Sequence, residues 1–310
     1  MSGHVPTDRE KRLGEFVDDT KSRILAVPNW SVGRERQLVR HIRDLLEQSG
    51  VALHFCEADI DHNRTVTAFS GPTNMVVSTL AALCELILPA ADLQRHVGVH
   101  PRIGALDVCP FIVLPGMATV EIANGVAHRF GSWLSETWDV PVFYYEKSSL
   151  SGNRTSLAAL RKGGFGGMLD REIQPDAGPC HVHPHLGASV VGVRDFLIAM
   201  NVNLRTPARQ ISERIAHDIR ERRRAKEPRF QGVMALGLPL ASRDMTQVSL
   251  NLTRPSETPP DDVVEWVREQ AARLGAEVAY AELIGVVRSV DTARCHQLAP
   301  RPEQIVEWAS

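Results

Sequence analysis

The order of apolar segments is the feature that most constrains the fold of this 310-residue chain. Over residues 24–114, short apolar runs typical of strands alternate with longer stretches whose apolar residues recur at helical spacing. The resulting order is β-α-β-β-α-β, which is the ferredoxin-like, split-βαβ pattern. A further helix over 120–138 and a strand over 140–145 are predicted to follow it.

The second half of the chain repeats this order without obvious sequence similarity to the first. One helix is predicted to follow Thr206-Pro207 and another to begin at Asp261. A short terminal helix is predicted over 302–308. We therefore expect an α/β (α+β) fold of two ferredoxin-like βαββαβ subdomains with a ligand cleft or tunnel between them. The strands of the second half are predicted over 196–204, 231–238, 245–252 and 278–287.

The pattern predicts three consecutive segments. Residues 1–22 form an N-terminal extension, 23–195 the N-terminal subdomain and 196–310 the C-terminal subdomain. Residues 147–186 show little regular pattern and contain several Gly-Gly and Gly-Pro pairs. Because long loops in compact proteins are often functional, this segment is predicted to lie at the cleft.

Charge and cysteine content restrict the partners and the compartment. The chain has 35 basic and 37 acidic residues, a formal net charge of −2, which argues against nucleic-acid binding by general electrostatic attraction. The polar N-terminus lacks a secretory signal, and no apolar run reaches the ~20 residues that span a bilayer. Five widely spaced cysteines, an odd number, indicate reduced thiols and a cytoplasmic protein.

The densest group of candidate functional residues is the loop 96–105, directly before a predicted buried strand. It contains His96 and His100 among glycine and proline residues. A histidine in such a loop can act as a general base, because its pKa lies near neutrality. The alternative is a loop histidine that only forms hydrogen bonds.

A second group is the polar loop 59–65 between two predicted strands. Arg64 can grip a carboxylate with two parallel hydrogen bonds, and Asn63 supplies both a donor and an acceptor. The alternative is a hairpin loop whose polar residues form Asx turns.

A third group is the run Cys180-His181-Val182-His183-Pro184-His185. Alternate histidines on an extended chain point to one side and can bind zinc. Pro184 interrupts that geometry, and no second group of cysteine and histidine ligands lies nearby in the sequence. We therefore favour a polar loop that contacts a ligand, and we expect no metal.

Taken together, these motifs resemble the formiminotransferase family, the glutamate formimidoyltransferases. The order and spacing of the matches extend from about residue 23 to the C-terminus. No cyclodeaminase-like region follows, so we expect a stand-alone transferase. The matching stretches are 27–33, 59–66, 96–111, 140–146, 175–179 and 187–204, the last ending in Asn201-Val202-Asn203-Leu204.

The resemblance implies a folate-dependent one-carbon transferase of histidine metabolism. It would move a formimino (or formyl) group between N-formimino-L-glutamate and tetrahydrofolate, the co-substrate, and would act as a homodimer. The proton-accepting histidine of the family falls on His100, and a carboxylate falls on Glu57, where the family usually has aspartate. The folate-contacting loop falls on Gly178, Pro179, Cys180, His181, Val182, His183, Pro184, His185, Leu186 and Gly187.

The chemistry of such a transfer fits these residues. The folate amine must lose a proton as it attacks the amidine carbon, and His100 can take that proton and return it to the departing glutamate. Glu57 can orient the imidazole. The substrate-binding candidates are Asn29, Asn63, Arg64 and Arg102, of which the arginines suit glutamate carboxylates.

Departures from the family pattern keep other functions open. The family usually has Glu at position 32, Lys at 97 and Glu at 99, where this chain has valine, and Thr where it has His185. The lost charges predict weaker use of formiminoglutamate. One alternative is a related one-carbon transferase with a different donor or acceptor amine. Another is a non-catalytic folate-binding relative, against which the retained His100 and Arg64 speak.

Overall fold

A computed structural model describes residues 21–150, 157–170 and 172–308; the predicted N-terminal extension lies almost entirely outside them. The chain divides into two units. The first takes in 21–58, 63–97 and 101–194 of the described residues. The second takes in 195–308 together with two short loops from the first half, Asp59–His62 and Gly98–His100. Two of the predicted functional loops therefore contribute residues to both units.

The first unit is built on one seven-stranded sheet. The strands are β1 Arg23–Ala26, β2 Asn29–Trp30, β3 Ala52–Asp59, β4 Arg64–Pro72, β5 Leu106–Val113, β6 Val142–Tyr144 and β7 Ser189–Val193. Strand β4 pairs with β1, β2 and β3. Strand β5 pairs with β1, β2 and β7, and β7 also pairs with β6. The helices are α1 Arg36–Gln48, α2 Thr73–Ile87, α3 Val120–Trp138, α4 Leu157–Leu160 and α5 Gly166–Leu169.

The core of the first unit joins this sheet to α2 and α3. Trp30, Phe69 and Phe111 are fully buried, and burial of such a side chain contributes roughly 1.5–3 kcal/mol. Residues Thr73–Ala90 are long and apolar enough to cross a membrane by composition, contrary to the sequence-based expectation. Because 56% of that stretch is buried inside the fold, as in a core helix, this is weak evidence for a membrane span.

The second unit contains a four-stranded antiparallel sheet. Its elements are β8 Ile198–Leu204, α6 Arg209–Arg224, β9 Val233–Leu240, β10 Met245–Leu252, α7 Pro260–Arg273 and β11 Val278–Ile284. The strand order in this sheet is β11-β8-β10-β9. The β-α-β-β-α-β order is observed as predicted in the second half. The first half has the same order with one additional short strand, β2, before its first helix, and each unit has its own sheet.

Further details differ from the prediction. The prediction of a terminal helix over 302–308 is wrong. A 3-10 turn, Pro302–Gln304, is followed there by a short strand, β13 (Ile305–Val306). This strand pairs in parallel with β12 (Val287–Arg288). Gln304 supports this pairing by donating to the carbonyl of Gly285 at 2.8 Å. Strand β7 was not predicted as a separate element. Its five residues are all buried, so no polar alternation marks them as a strand.

Candidate active site

A buried aspartate organises the polar interior of the first unit. Asp107 on β5 is 2% exposed, although the strand around it is apolar. Its Oδ1 accepts a hydrogen bond from the backbone N–H of Ile103 at 2.8 Å. Its Oδ2 accepts one from the guanidinium of Arg161, which directly follows α4. Pairing of this kind is what makes a buried carboxylate tolerable.

Arg64, at the start of β4, shares the surroundings of Asp107. Its guanidinium donates to Oδ1 of Asn29, while Nδ2 of Asn29 donates to the carbonyl of Val27 at 2.8 Å. Burial, and then the positive charge of Arg161, lower the pKa of Arg64 to about 10, and the charge of Asp107 opposes this shift.

Arg102 completes the group, which we call the arginine cluster (Arg64, Arg102 and Arg161). Nη2 of Arg102 donates to the carbonyl of His96 at 2.6 Å. Burial lowers the pKa of Arg102, and the charge of Asp107 raises it. The charge of Asp107 therefore acts on all three guanidinium groups, of which it directly bonds Arg161, so positive charge exceeds negative charge in this group.

The arginine cluster contains buried donor atoms that lack a hydrogen-bond partner among the described residues. Nε of Arg64 and Nε of Arg161 are both buried, and no described residue accepts from them. A buried donor left without an acceptor costs about 1–3 kcal/mol. A carboxylate would supply both the missing acceptors and the missing negative charge, so the cluster is suited to bind one.

Asn63 and His96 shape the loop beside this cluster. Asn63 has a φ of 46°, a left-handed conformation that asparagine tolerates. Its Nδ2 donates to the carbonyl of Val97 at 3.2 Å, and its own carbonyl lies 2.7 Å from Nε2 of His96. Because a carbonyl only accepts, Nε2 carries the hydrogen. Burial, and then the charge of Arg102, lowers the pKa of His96, so the ring is neutral at pH 7.

The predicted proton acceptor lies in the second unit, on the loop Gly98–His100. The ring of His100 stacks on the ring of His62, with 5.7 Å between centroids and 28° between planes. The backbone N–H of Val99 donates to the carbonyl of Asp61 at 3.0 Å. These contacts hold His100 beside the loop Asp59–His62.

Two aspartates fix that loop within the second unit. The carboxylate of Asp61 accepts from the backbone N–H and the hydroxyl of Ser242, at 2.9 and 2.5 Å. Oδ1 of Asp59 accepts from the N–H groups of Asp61 and His62, both at 2.8 Å, and its Oδ2 accepts from Arg243 at 2.5 Å. The Asx-turn interpretation of this loop is therefore confirmed for Asp59.

Glu57, the predicted partner of His100, is an exposed residue of β3 and belongs to the first unit. The adjacent thiol of Cys56 is buried, and burial raises its pKa to about 11; Arg43 opposes this rise and Glu57 adds to it. The pairing of Glu57 with His100 stays a prediction.

The predicted folate loop, residues 178–187, is fixed by the first unit itself. Gly178 and Gly187 have φ values of 89° and 72°. A Cβ at Gly187 would lie 2.0 Å from the carbonyl oxygen of Ile103, and one at Gly178 would lie 2.0 Å from Oγ of Ser135. The positive φ values favour glycine at both positions, and at Gly187 the backbone carbonyl of Ile103 also leaves no room for a Cβ, independently of any ligand.

The three histidines of this loop have different surroundings. His181 is exposed. Nδ1 of His183 accepts from the backbone N–H groups of His185 and Leu186 at 3.2 and 3.0 Å. Nδ1 of His185 lies 3.1 Å from Oδ1 of Asp92, and this hydrogen bond lowers the pKa of that carboxyl. Within the described ranges, no three His, Cys, Asp or Glu side chains form a group that could hold a metal ion.

The three valines that depart from the family pattern also differ in environment. Val32 is 4% exposed and packs in the hydrophobic core, and its carbonyl accepts from Oγ1 of Thr65 at 2.6 Å. Val97 is 67% exposed, and Val99 is partly exposed. A charge at position 32 would therefore be buried among apolar side chains, which is costly without a partner.

Family models match both units. The formiminotransferase domain, N-terminal subdomain, matches residues 23–194, and the formiminotransferase domain matches 199–294. The chain belongs to the formiminotransferase family. The glutamate formimidoyltransferase of Thermoplasma acidophilum is 35% identical to this family member over 273 residues, 86% of this chain and 88% of that protein.

Other relatives in this family have a similar sequence identity to the chain over a similar share of its length. The glutamate formimidoyltransferase of Streptococcus pyogenes serotype M1 is 32% identical, over 84% of this chain and 87% of that protein. The formimidoyltransferase-cyclodeaminase of Rattus norvegicus is 35% identical over 84% of this chain. The chain spans about half, 49%, of that longer relative.

Sequence reasoning missed Arg161 and Asp107 in this formiminotransferase. One signal was available for Asp107, because a carboxylate inside an apolar strand needs a cationic partner. No periodicity points to Arg161, which lies in the segment between the two halves. The predicted residues that the structure brings together around Asp107 are Asn29, Arg64 and Arg102.

Proposed function

We propose that this protein transfers a formimino group from N-formimino-L-glutamate to tetrahydrofolate as co-substrate. Relatives at 32–35% identity over most of their length are named glutamate formimidoyltransferases, which supports the proposal. The observation in this chain that carries it is the arginine cluster around the buried Asp107.

The arginine cluster fits a donor derived from glutamate. N-formimino-L-glutamate carries two carboxylates, and a guanidinium binds a carboxylate through two parallel hydrogen bonds. Arg161 is already bonded to Asp107, and Arg64 to Asn29, so both side chains are oriented before a ligand arrives. Pre-oriented groups lose less conformational freedom on binding. We assign at least one donor carboxylate to this cluster.

The charge balance of the cluster gives the same preference. Burial and the charge of Arg161 hold the pKa of Arg64 at about 10, which still leaves the side chain protonated at pH 7. A bound carboxylate would favour the charged form and raise that pKa again. The cluster therefore strengthens the binding of a formimino donor that carries a negative charge, whereas it does not strengthen the binding of a neutral one.

His100 is the proposed proton acceptor. The attacking folate amine loses a proton while a bond forms to the amidine carbon, and the departing glutamate nitrogen gains one as its bond to that carbon breaks. A single imidazole can serve both transfers. The stacked ring of His62 and the Val99–Asp61 hydrogen bond position His100. Glu57 keeps its proposed role of orienting the imidazole.

The loop 178–187 is proposed to contact folate. Cys180, His181 and Pro184 are exposed there, so their side chains are accessible to a ligand. Gly178 and Gly187, at the two ends of the loop, lie in close contact with Ser135 and Ile103 of the first unit.

Turnover tests the proposed function directly. The protein is given tetrahydrofolate and N-formimino-L-glutamate, and 5-formimino-tetrahydrofolate and free glutamate are followed; we expect equal amounts of both. N-formiminoglycine, which lacks the side-chain carboxylate, is the matched comparison. We expect its kcat/KM to be about 10- to 100-fold lower, because a charge-assisted hydrogen bond contributes roughly 1.5–3 kcal/mol. Equal use of the two donors would remove the arginine cluster from donor selection, and absence of both products would overturn the transfer.

A homodimer and a cytoplasmic location are further proposals. The homodimer rests on the family resemblance, and light scattering after gel filtration measures it. All five cysteines are free and four are buried, in keeping with a reducing compartment.

A further inference from the structure

The motif Asn201-Val202-Asn203 places two amides on the second unit's sheet that the proposed transfer leaves without a role. We propose that Asn201, Asn203, Gln247 and Glu282, here called the amide–carboxylate cluster, bind a planar N–H donor edge of a substrate. The inference rests on the proposed function and names the chemistry that this unit recognises.

The cluster lies on the sheet face opposite α6. Gly237 on β9 lies against α6, because a Cβ there would come within 2.4 Å of the backbone nitrogen of Glu213. Gly237 pairs with Val248, which pairs with Val202, so these three residues share the helix-covered face. Successive side chains of a strand point to opposite faces. The residues next to them, Asn201, Asn203 and Gln247, therefore lie on the other face.

One carboxylate oxygen gathers the amides of this face. Oε1 of Glu282 accepts from Nδ2 of Asn201 at 3.2 Å, from Nδ2 of Asn203 at 3.1 Å and from Nε2 of Gln247 at 3.4 Å. Nε2 of Gln247 also donates to Oδ1 of Asn203 at 2.9 Å. Since Nε2 faces two oxygen acceptors, the orientation of the Gln247 amide is fixed.

This arrangement leaves two acceptors unused. Oε1 of Gln247 is buried without a hydrogen-bond partner in the described part of the chain, and the residue is 0% exposed. Glu282 is half-buried, and the three hydrogen bonds from the amides all go to its Oε1, so none of them uses Oε2. A buried acceptor without a donor is costly, and such exceptions in a folded protein call for an explanation. A ligand whose N–H groups donate to these oxygens would explain them.

The neighbouring residues suit a flat ligand near the catalytic loop. Tyr280 lies two residues before Glu282 on the same face of β11, and the residue is 42% exposed. Arg243 donates to the hydroxyl of Tyr280 at 3.2 Å and to Asp59 at 2.5 Å. The cluster is thereby linked, within the second unit, to the loop Asp59–His62 beside His100.

Two substrates of the proposed reaction carry the required chemistry. The formimino group of the donor is an amidine with N–H groups on a planar N–C–N unit. The folate ring offers an amino group beside a ring N–H. A carboxylate accepts from either edge, and the charged pair with an amidinium is the stronger type of hydrogen bond.

The test is calorimetric binding of N-formimino-L-glutamate and of 5-formyl-tetrahydrofolate to the full chain and to Glu282→Gln. The glutamine carbonyl can still accept from the three amides, but its NH2 replaces the acceptor Oε2. We expect the affinity for one of the two ligands to fall about 10- to 100-fold. The ligand that loses affinity identifies the source of the N–H edge. Glu269→Gln, on the exposed side of α7, is the matched control and is expected to bind both ligands as the unchanged chain does.

The outcomes separate this inference from the proposed transfer. Unchanged affinities in Glu282→Gln overturn the inference, even when the unchanged chain forms product. A loss of affinity supports it, even when the unchanged chain forms none. An unchanged chain that binds neither ligand overturns both proposals. Gln247→Met, which removes the second acceptor at similar size, decides the case if Glu282→Gln does not fold. Weaker binding at an unaltered unfolding temperature supports the site, and unaltered binding overturns it.

Discussion

Arg161 and Asp107 form an ion pair between residues 54 positions apart in the sequence, with the aspartate almost completely buried. Arg161 comes from a segment with little regular structure, and Asp107 from β5. The pair therefore ties the interior sheet to the segment that joins the two halves of the sequence, and it brings the third arginine to Arg64 and Arg102.

Removal of Arg161 alone is expected to destabilise the protein strongly. Arg161→Met leaves the carboxylate of Asp107 buried without its cation, and breaking a buried pair in this way costs about 3–5 kcal/mol in the free energy of unfolding. Asp107→Asn in the same chain removes the orphaned charge, so the double variant should be more stable than Arg161→Met. Denaturant unfolding of both single variants and the double variant measures the coupling. A double variant no more stable than Arg161→Met would contradict it.

Replacement of Arg64 by lysine is expected to weaken donor binding. Lysine keeps the charge but loses the planar pair of donors. We expect the KM for N-formimino-L-glutamate to rise about tenfold or more while kcat changes little, as when binding common to ground and transition state is lost. Arg40→Lys, at an exposed position on α1, is the control. Steady-state kinetics checks the prediction, and an unchanged KM would remove Arg64 from the donor site.

Replacement of His100 by asparagine is expected to lower kcat about 10²–10⁴-fold, because general acid–base assistance is of that size. Asparagine keeps some hydrogen bonding but moves no proton, so folate affinity should change little. His96→Asn is the internal control and should cost much less, since His96 bonds to the carbonyl of Asn63. Normal turnover in His100→Asn together with loss in His96→Asn would assign the proton transfer to the other histidine.

The stability of the protein is expected to fall in acid partly through His96. Burial lowers the pKa of His96 below its ordinary value of 6.5, so the unfolded chain takes up a proton more readily than the folded chain. The free energy of unfolding therefore decreases as the pH falls through the pKa that His96 has in the unfolded chain. The decrease ends once the pH is below the pKa that His96 has in the folded chain. His96→Gln should show a smaller drop in unfolding temperature between about pH 7.5 and about pH 5. Parallel curves for the two proteins would show that His96 does not contribute.

A pair of glycine variants separates close packing from backbone strain. Gly187 and Gly116 have similar φ values, 72° and 70°, so alanine is strained by roughly 1–2 kcal/mol at either position. Only at Gly187 would the Cβ meet the carbonyl oxygen of Ile103; at Gly116 it meets nothing within 4 Å. We expect Gly187→Ala to be less stable than Gly116→Ala by a further ~1–3 kcal/mol. Thermal and denaturant unfolding compare them, and equal losses would refute the packing argument.

Local patterns predicted the elements better than the contacts between them. The apolar spacing predicted a helix over 120–138, and α3 has those bounds, Val120–Trp138. Strand β7 escaped prediction because it is buried on both faces. The loop with His100 was recognisable from its Gly/Pro context, but its anchor, Asp61 on Ser242, joins residues 181 positions apart. The arginine cluster likewise depends on a distant residue, Arg161, which no local period marks.

The assignment of the loops Asp59–His62 and Gly98–His100 to the second unit restricts how such a protein can be divided or recombined. A fragment that begins at residue 195 lacks His100, and one that ends at 194 lacks Ser242 and Arg243, which hold the aspartates of the first loop. A chimaera that joins the first half of one relative to the second half of another keeps these contacts only when both parents match at 59, 61, 242 and 243. The two halves of a chimaera should therefore come from parents whose residues at these four positions form the same contacts, although each half has its own sheet.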